Sequence, residues 1–317
     1  MVCAFACSDA TAVDAGEGEA RTPRFVTITL DNDLFVGGDS HYTDGLQVAF
    51  VVDRTSLPSW MNEAPPIRWS ADPAVMFAVG QRMYTPTNTN TAHPDPDDRP
   101  YAGWLYLLMD VMTRDDTAVD HASFSLGVIG PPSLVEQAQS NVHHLVHSRI
   151  SKGWDSQLGT EPALMLGYER AWPGLLRAAN GHWDVTPRAG VTLGNVLTYV
   201  NAGFVARWGR NLPSDAPVTH ISLGPPRDGY RGTGAAGWYA WLGADARAVA
   251  RNVFLDGNTW KSSPSVDRKP LGCDFEAGLA ITWPRGRFGF TFVRRSKEFE
   301  TQRNADRFGQ LTLSLPY

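Results

Sequence analysis

Three short stretches of the chain carry side chains whose types suit catalysis. Asp31-Asn32-Asp33 clusters carboxylate and amide oxygens, the hard donors that calcium gathers in sets of about six to eight. Their spacing is not that of an EF-hand loop, and a solvated strand end would read the same way. His41-Tyr42-Thr43-Asp44-Gly45 follows across a turn. Antiparallel pairing would bring Thr43 close to Asn32 and Asp33, where a hydroxyl can orient a carboxylate or a water. The third stretch holds Gln139 and His143, four apart and so on one face of a helix. Imidazole is the side chain suited to accept a proton near neutral pH. His144 and His147 stand beside it. His143 and His147 also share a face, as a zinc pair would, but no HExxH pattern accompanies them. Spacing alone therefore leaves both a surface and a catalytic role open for each histidine. Neither a GxSxG elbow nor a P-loop occurs.

These residues need elements to hold them. Phe25 to Asp33 alternates Val26, Ile28 and Leu30 with Thr27, Thr29 and Asp31, the apolar-out, polar-in pattern of a barrel wall. Leu46, Val48, Phe50 and Val52 repeat it after the turn. Further strands are expected near 74–83, 101–112, 121–130, 162–172, 182–194, 197–208, 236–252, 272–283, 286–298 and 306–317, about twelve in all, an even number of the kind bacterial outer-membrane barrels use. Between strands, Gly130-Pro131-Pro132 halts the run. Ser133 with Glu136 then has capping-box spacing for a helix whose apolar stripe is Leu134, Val135, Ala138, Val142, Leu145 and Val146. Long polar connections over 84–100, 131–161 and 209–235 are expected outside the membrane, and short ones such as Pro284-Arg285-Gly286 in the periplasm.

Composition narrows the class. No window of ~18 apolar residues exists, which removes a transmembrane helix, whereas 43% hydrophobic residues is compatible with membrane strands that dilute the average. A net charge of −5 argues against a nucleic-acid binder. Many of the 11 Trp, 14 Phe and 9 Tyr lie near the ends of strand-like runs, as in interfacial girdles, and packing in a sandwich core would read the same way. Three cysteines are too few for a disulfide framework. Residues 1–23 read as a signal remnant or disordered leader, and 24–317 as one barrel. The closing stretch FGQLTLSLPY alternates Leu311, Leu313 and Leu315 and ends in Tyr317, the pattern of a closing barrel strand. In a soluble sheet it would be an aggregation-prone edge. The fold expected is an all-β, transmembrane, antiparallel up-and-down barrel with a short helix in an extracellular loop.

The blocks NDLFVGGDSHYTDGL, GQRMYTP, DRPYAGWLY, GPPSLVEQAQSNVHHLV, KGWDSQLGTEP and FLDGNTW, in order from Asn32 to Trp260, resemble the signatures of the LpxR-type lipid A 3′-O-deacylase family. The resemblance implies a calcium-dependent ester hydrolase of the bacterial outer membrane that removes the 3′-linked acyloxyacyl group from lipid A, the lipid anchor of lipopolysaccharide, in the outer leaflet. The family's essential positions fall on Asn32, Asp33, Thr43 and His143, the last chosen because it stands four after Gln139. Ca2+ is expected near Asp33 and Asn32, with Asp31 as a further ligand. The family's YTNG segment reads Tyr-Thr-Asp-Gly here, so Asp44 adds a carboxylate beside the metal. Arg82, Arg99 and Lys152 lie in the family blocks and are candidate contacts for the lipid A phosphates. A monomer with no nucleic-acid partner is expected. An outer-membrane phospholipase and a catalytically inactive structural or channel barrel are the alternative readings.

Overall fold

The structure is a computed structural model that describes residues 24–37, 41–53, 56–65, 73–145, 150–213, 223–224, 226–227 and 235–317, the side chains of Asp53, His143 and Leu145 excepted. The leader expected over 1–23 lies outside the described residues. Strands β1 (Phe25–Asn32), β2 (Tyr42–Asp53), β3 (Ala74–Tyr84), β4 (Ala102–Arg114), β5 (Val119–Ile129) and β6 (Glu161–Ala171) form the first half of the wall. After the two-residue β7 (Leu176–Arg177) come β8 (Trp183–Gly194), β9 (Leu197–Arg210), β10 (Gly237–Asn252), β11 (Leu271–Trp283), β12 (Gly286–Arg295) and β13 (Asp306–Pro316). Neighbours in sequence pair antiparallel, β1 pairs β13, and β6 pairs β8. The twelve long strands thus close into an up-and-down barrel, as the alternation predicts. Each of the twelve long strands has a neighbour on both sides.

The alternation sorts the side chains as expected. Thr27, Thr29 and Asp31 are buried in the lumen, while Ile28 stands exposed on the outer wall. On β13, Gln310, Thr312 and Ser314 face in, and Thr27 meets Ser314 at 2.9 Å between hydroxyl oxygens. The lumen is filled with paired charge. Arg207 is bidentate on Asp184 at 2.9 and 2.7 Å. Asp274, fully buried, takes hydrogen bonds from Arg247 at 2.6 Å and Arg295 at 2.9 Å. Asp274→Ala would strand two buried guanidinium groups, so a loss of about 3–5 kcal/mol of stability is expected, read as a lower urea midpoint for unfolding of the barrel.

The rim that carries the helix α2 (Val135–Leu145) is here the upper one. The 54–73 connection, at the lower rim, holds the one-turn helix α1 (Ser59–Asn62), whose Met61 packs with Leu57, Val75 and Val111. The connection over 209–235, expected outside with the other long loops, also leaves from the lower rim, because β9 runs downward and β10 returns. Its described residues turn inward instead. The carbonyl of Leu223 accepts from Arg82 at 2.6 Å and that of Pro226 from Gln47 at 3.0 Å. Leu223 joins the luminal cluster that holds Tyr42 and Trp104. Burying backbone carbonyls is tolerable there because arginine and glutamine donors meet them.

A candidate active site on the outer wall

The tip of β1 divides its three polar residues between different surroundings. Asp31 points into the lumen, where its Oδ2 accepts from the Tyr42 hydroxyl at 2.7 Å and its Oδ1 from Gln310 at 2.7 Å. Asn32, one residue on, therefore faces outward. Its side-chain oxygen accepts from the Leu34 amide at 2.8 Å and caps a 3-10 turn over Asp33–Val36. Asp33 begins that turn and is 4% exposed. The turn folds onto the outer wall, and Phe35 lies over Gly309, where an added Cβ would come within 2.8 Å of it. Leu34 beside it is 74% exposed, on the surface expected to meet lipid.

β2 approaches the same place through a bulge. Tyr42 pairs with Tyr84 and Asp44 with Met83, so Thr43 is the extra residue. A bulge bends the strand and re-aims side chains. Here it lets Tyr42 face the lumen although Asp44, directly opposite Asn32, faces out. Tyr42 lies across Gly45, where a Cβ would sit 2.2 Å from its hydroxyl. That contact explains the glycine of the YTDG segment. Thr43 Oγ1 is 2.6 Å from Thr85 Oγ1. The Asp44 carboxylate takes hydrogen bonds from the Asn32 side chain and the Gly45 amide.

The helix arrives from the other side. Gly130 has φ +88°, Pro131–Ser133 forms a 3-10 turn, and Leu134 sits at φ +60° before α2 begins. The expected cap at Ser133 does not form, because its hydroxyl makes no hydrogen bond and the left-handed Leu134 intervenes. Leu134 and Val142 of the expected apolar stripe are exposed, and it is Val135 that is buried. Val135 packs with Met83, Tyr101 and Trp154. Met83 faces outward, since Arg82 and Tyr84 on either side of it point in. Gln139, on the same face as Val135, accepts from Trp154 Nε1 at 2.8 Å. A polar residue on the inner face of the helix is thus a tether to the KGW segment. His143 stands one turn further along α2; its side chain, and all of Val146 and His147, lie outside the described residues. His144 is exposed.

The three basic residues divide. Arg82 and Arg99 are 2% and 0% exposed. Arg82 spans from the Leu223 carbonyl to the Tyr42 ring. The Arg99 guanidinium lies over Tyr84 at 4.8 Å and reaches Glu298 at 3.5 Å. Both groups are sealed within the barrel and its cap, away from the outer wall. Lys152 alone is exposed at the upper rim, its amide bonded to the Thr89 carbonyl at 3.0 Å.

The structure thus pairs Asn32 with Asp44 across β1 and β2, with Asp33 and Thr43 next to them in the chain. It seats α2 on Met83, directly across from Asp44 and one strand spacing, about 4.8 Å, away. The site lies on the outer wall below the upper rim, outside the lumen. Residue reasoning missed Trp154 and Gln310 as the partners that orient Gln139 and Asp31. For Gln310, the inward parity of the last strand was the available signal.

A model of the family described as outer membrane protein LpxR matches residues 1–317. No curated protein sequence matches. Among solved structures, LpxR from Salmonella typhimurium superposes with a TM-score of 0.75 at 17% identity, covering 92% of this chain and 100% of that one. The β-domain of the Bordetella autotransporter BrkA gives a TM-score of 0.47 at 10% identity, covering 93% and 99%. The translocator domain of NalP from Neisseria meningitidis gives 0.46 at 11% identity, covering 94% and 90%. With its whole length matched and its barrel shared, the chain belongs to the LpxR family of outer-membrane proteins.

Proposed function

We propose that this chain hydrolyses the ester that holds the 3′-linked acyloxyacyl group on lipid A, working in the outer leaflet. The observation that carries the reading is that the polar cluster faces lipid. Asn32 and Asp44 pair on the outward face of the wall near the exposed Leu34 and Leu46, Asp33 follows Asn32 at the start of the 3-10 turn, and α2 is seated alongside. An amphiphile whose ester lies between headgroup and acyl chains presents that bond at this level.

The donors fit calcium in type. Asp33, the Asn32 side-chain oxygen and Asp44 are hard oxygen ligands, and Asp44 keeps one buried oxygen without a hydrogen-bond partner. Asp31 already has both carboxylate oxygens hydrogen-bonded, to Tyr42 and Gln310. Among the described residues no three His, Cys, Asp or Glu side chains form a metal-holding group, so the ion would draw on Asn32 and on backbone oxygens as well. When bound there, calcium supplies charge that stabilises the oxyanion of the attacked ester. The chain's own residues do the rest. His143 accepts a proton from the attacking water, and the ring then returns it to the departing 3′ oxygen of the sugar, leaving a free hydroxyl and a carboxylic acid. Thr43, aimed by the bulge, positions the water or a metal ligand, and Lys152 meets a lipid A phosphate. The channel reading has little support. The lumen is occupied by Leu223 and Pro226 and by buried ion pairs.

The test is mass spectrometry of lipid A incubated with the purified protein. Release of the 3′ acyloxyacyl acid with calcium, and its loss on chelation, is the expected result. Hydrolysis of glycerophospholipid with lipid A left intact would overturn the substrate assignment in favour of a phospholipase.

A further inference from the structure

His41 lies immediately before β2, two residues from Thr43, and is 8% exposed. Its ring is held on every side. Nδ1 is 2.7 Å from Asp306 Oδ1, the first residue of β13. Nε2 is 3.1 Å from Asp98 Oδ1 and 3.0 Å from the Thr87 hydroxyl. Gln302 approaches at 3.4 Å, and Phe299 meets the ring edge-on with centroids 5.3 Å apart. The ring therefore ties three separate segments together: the start of β2, the 85–101 loop, and the 296–306 return into β13. Asp98 in turn accepts from the Thr87 amide at 2.8 Å.

The position of this cluster matters for the proposed site. Regular β2–β3 pairing is interrupted at the bulge. Beyond that break the two strands are held by the Thr43–Thr85 hydroxyl contact, by the Thr85 amide on the His41 carbonyl at 3.3 Å, and by the His41–Thr87 contact. We propose that His41 is a positioning residue for the deacylation: its ring, clamped by Asp306 and Asp98, anchors the far side of the bulge and so fixes where Thr43 points. This inference rests on the deacylase reading of the site.

The charge of the ring follows from what faces it. Burial alone would lower its pKa, and Arg99 nearby acts the same way. The hydrogen bonds of Asp306 and Asp98 and the charge of Asp306 outweigh both and raise it to about 9. Burial opposes ionisation of Asp98 as well, but the His41 ring and the Thr87 and Arg99 amides bring it down to about 2. For a histidine whose pKa is raised on folding, the stabilisation is complete below its unfolded value near 6.5 and is lost as pH climbs through about 9. For Asp98 it is complete above the unfolded 3.8 and is lost as pH falls through about 2. The clamp thus holds throughout the neutral range. A polar cavity of about 580 Å³, lined in part by His41, Asp98 and Gln302, gives protons access to it.

His41→Gln keeps a hydrogen-bonding side chain but removes the cation. The expected result is a fall in kcat of about ten-fold with KM within about two-fold, because the group displaced is one that acts on the reacting atoms. The wild-type kcat should fall on the alkaline side with a midpoint near 9, and that limb should be absent in the variant. A second measurement needs no activity. Limited proteolysis of the 85–101 and 296–305 segments should be slow at pH 7 and fast at pH 10 in the wild type, and fast at both in His41→Gln. Unchanged kcat, an alkaline limb that persists in the variant, or protection indifferent to both pH and substitution would each overturn the proposal. A wild type that protects these loops as described yet leaves lipid A intact would sink the deacylase reading and keep the clamp.

Discussion

His143→Ala is expected to lower release of the acyl group from lipid A by about 10²–10⁴-fold, while the barrel still folds and shifts normally on heat-modified gels. The loss corresponds to about 3–5 kcal/mol of transition-state stabilisation. Val135 rests against Met83, Tyr101 and Trp154, and Gln139 is tethered to the Trp154 indole. His143 follows Gln139 by four residues, one helical turn further on. One strand spacing along the wall from Met83 stands Asp44, paired with Asn32. The neighbouring, exposed His144 serves as the control. His144→Ala should leave kcat within about two-fold. Equal losses at both histidines would indicate that the helix matters for packing alone. A His143→Ala enzyme that still hydrolyses lipid A at wild-type rate would remove the imidazole from the mechanism.

Gly103→Val is expected to cost about 100-fold in kcat with little change in barrel stability. Gly103 lies on the outward face of β4, and a Cβ there would come within 2.1 Å of Ser133 Oγ and 2.8 Å of Val135. Those two residues belong to the start of α2 and the turn before it, so the helix rather than the strand must give way. The β3–β4 pairing across Met83 and Gly103 uses backbone groups alone and survives the change. Overpacking of this kind costs about 1–3 kcal/mol if nothing moves. A helix lifted by an ångström avoids that cost and loses its aim instead. Gly103→Ala, smaller but subject to the same contact, should fall between wild type and Gly103→Val. A Gly103→Val protein with full activity would show that α2 need not sit on this wall for the reaction.

Much of this was legible before the fold was known, for a reason visible in individual strands. Thr27, Thr29 and Asp31 alternate with Val26, Ile28 and Leu30, and in a closed barrel each side chain has only the lumen or the lipid to choose. Period two therefore decides both the element and its face. Other features were not legible because alternation cannot see an extra residue. Counted back from Leu46, Tyr42 should face lipid, yet the bulge at Thr43 turns it inward onto Asp31. Ser133 with Glu136 had the spacing of a cap, but Leu134 adopts a left-handed conformation and the helix starts later. Arg82 and Arg99 are candidate phosphate contacts by their place in the family blocks, yet both are buried. Their burial depends on Leu223 and Glu298, far away in the chain.

Residue order alone is enough to give the barrel, its facing pattern, a helix between β5 and β6, and the set of residues that resemble a known hydrolase. Local side-chain order suffices for the strands and their facing, which hydrophobicity over a few neighbouring positions settles, whereas the likeness to a hydrolase rests on the ordered motif blocks. The outward pairing of Asn32 with Asp44, the entry of Leu223 and Pro226 into the lumen, and the grip of Asp98 and Asp306 on His41 come from the folded chain alone. Each of these rests on a contact between segments distant in sequence, where burial and charge pairing override what the local pattern prefers.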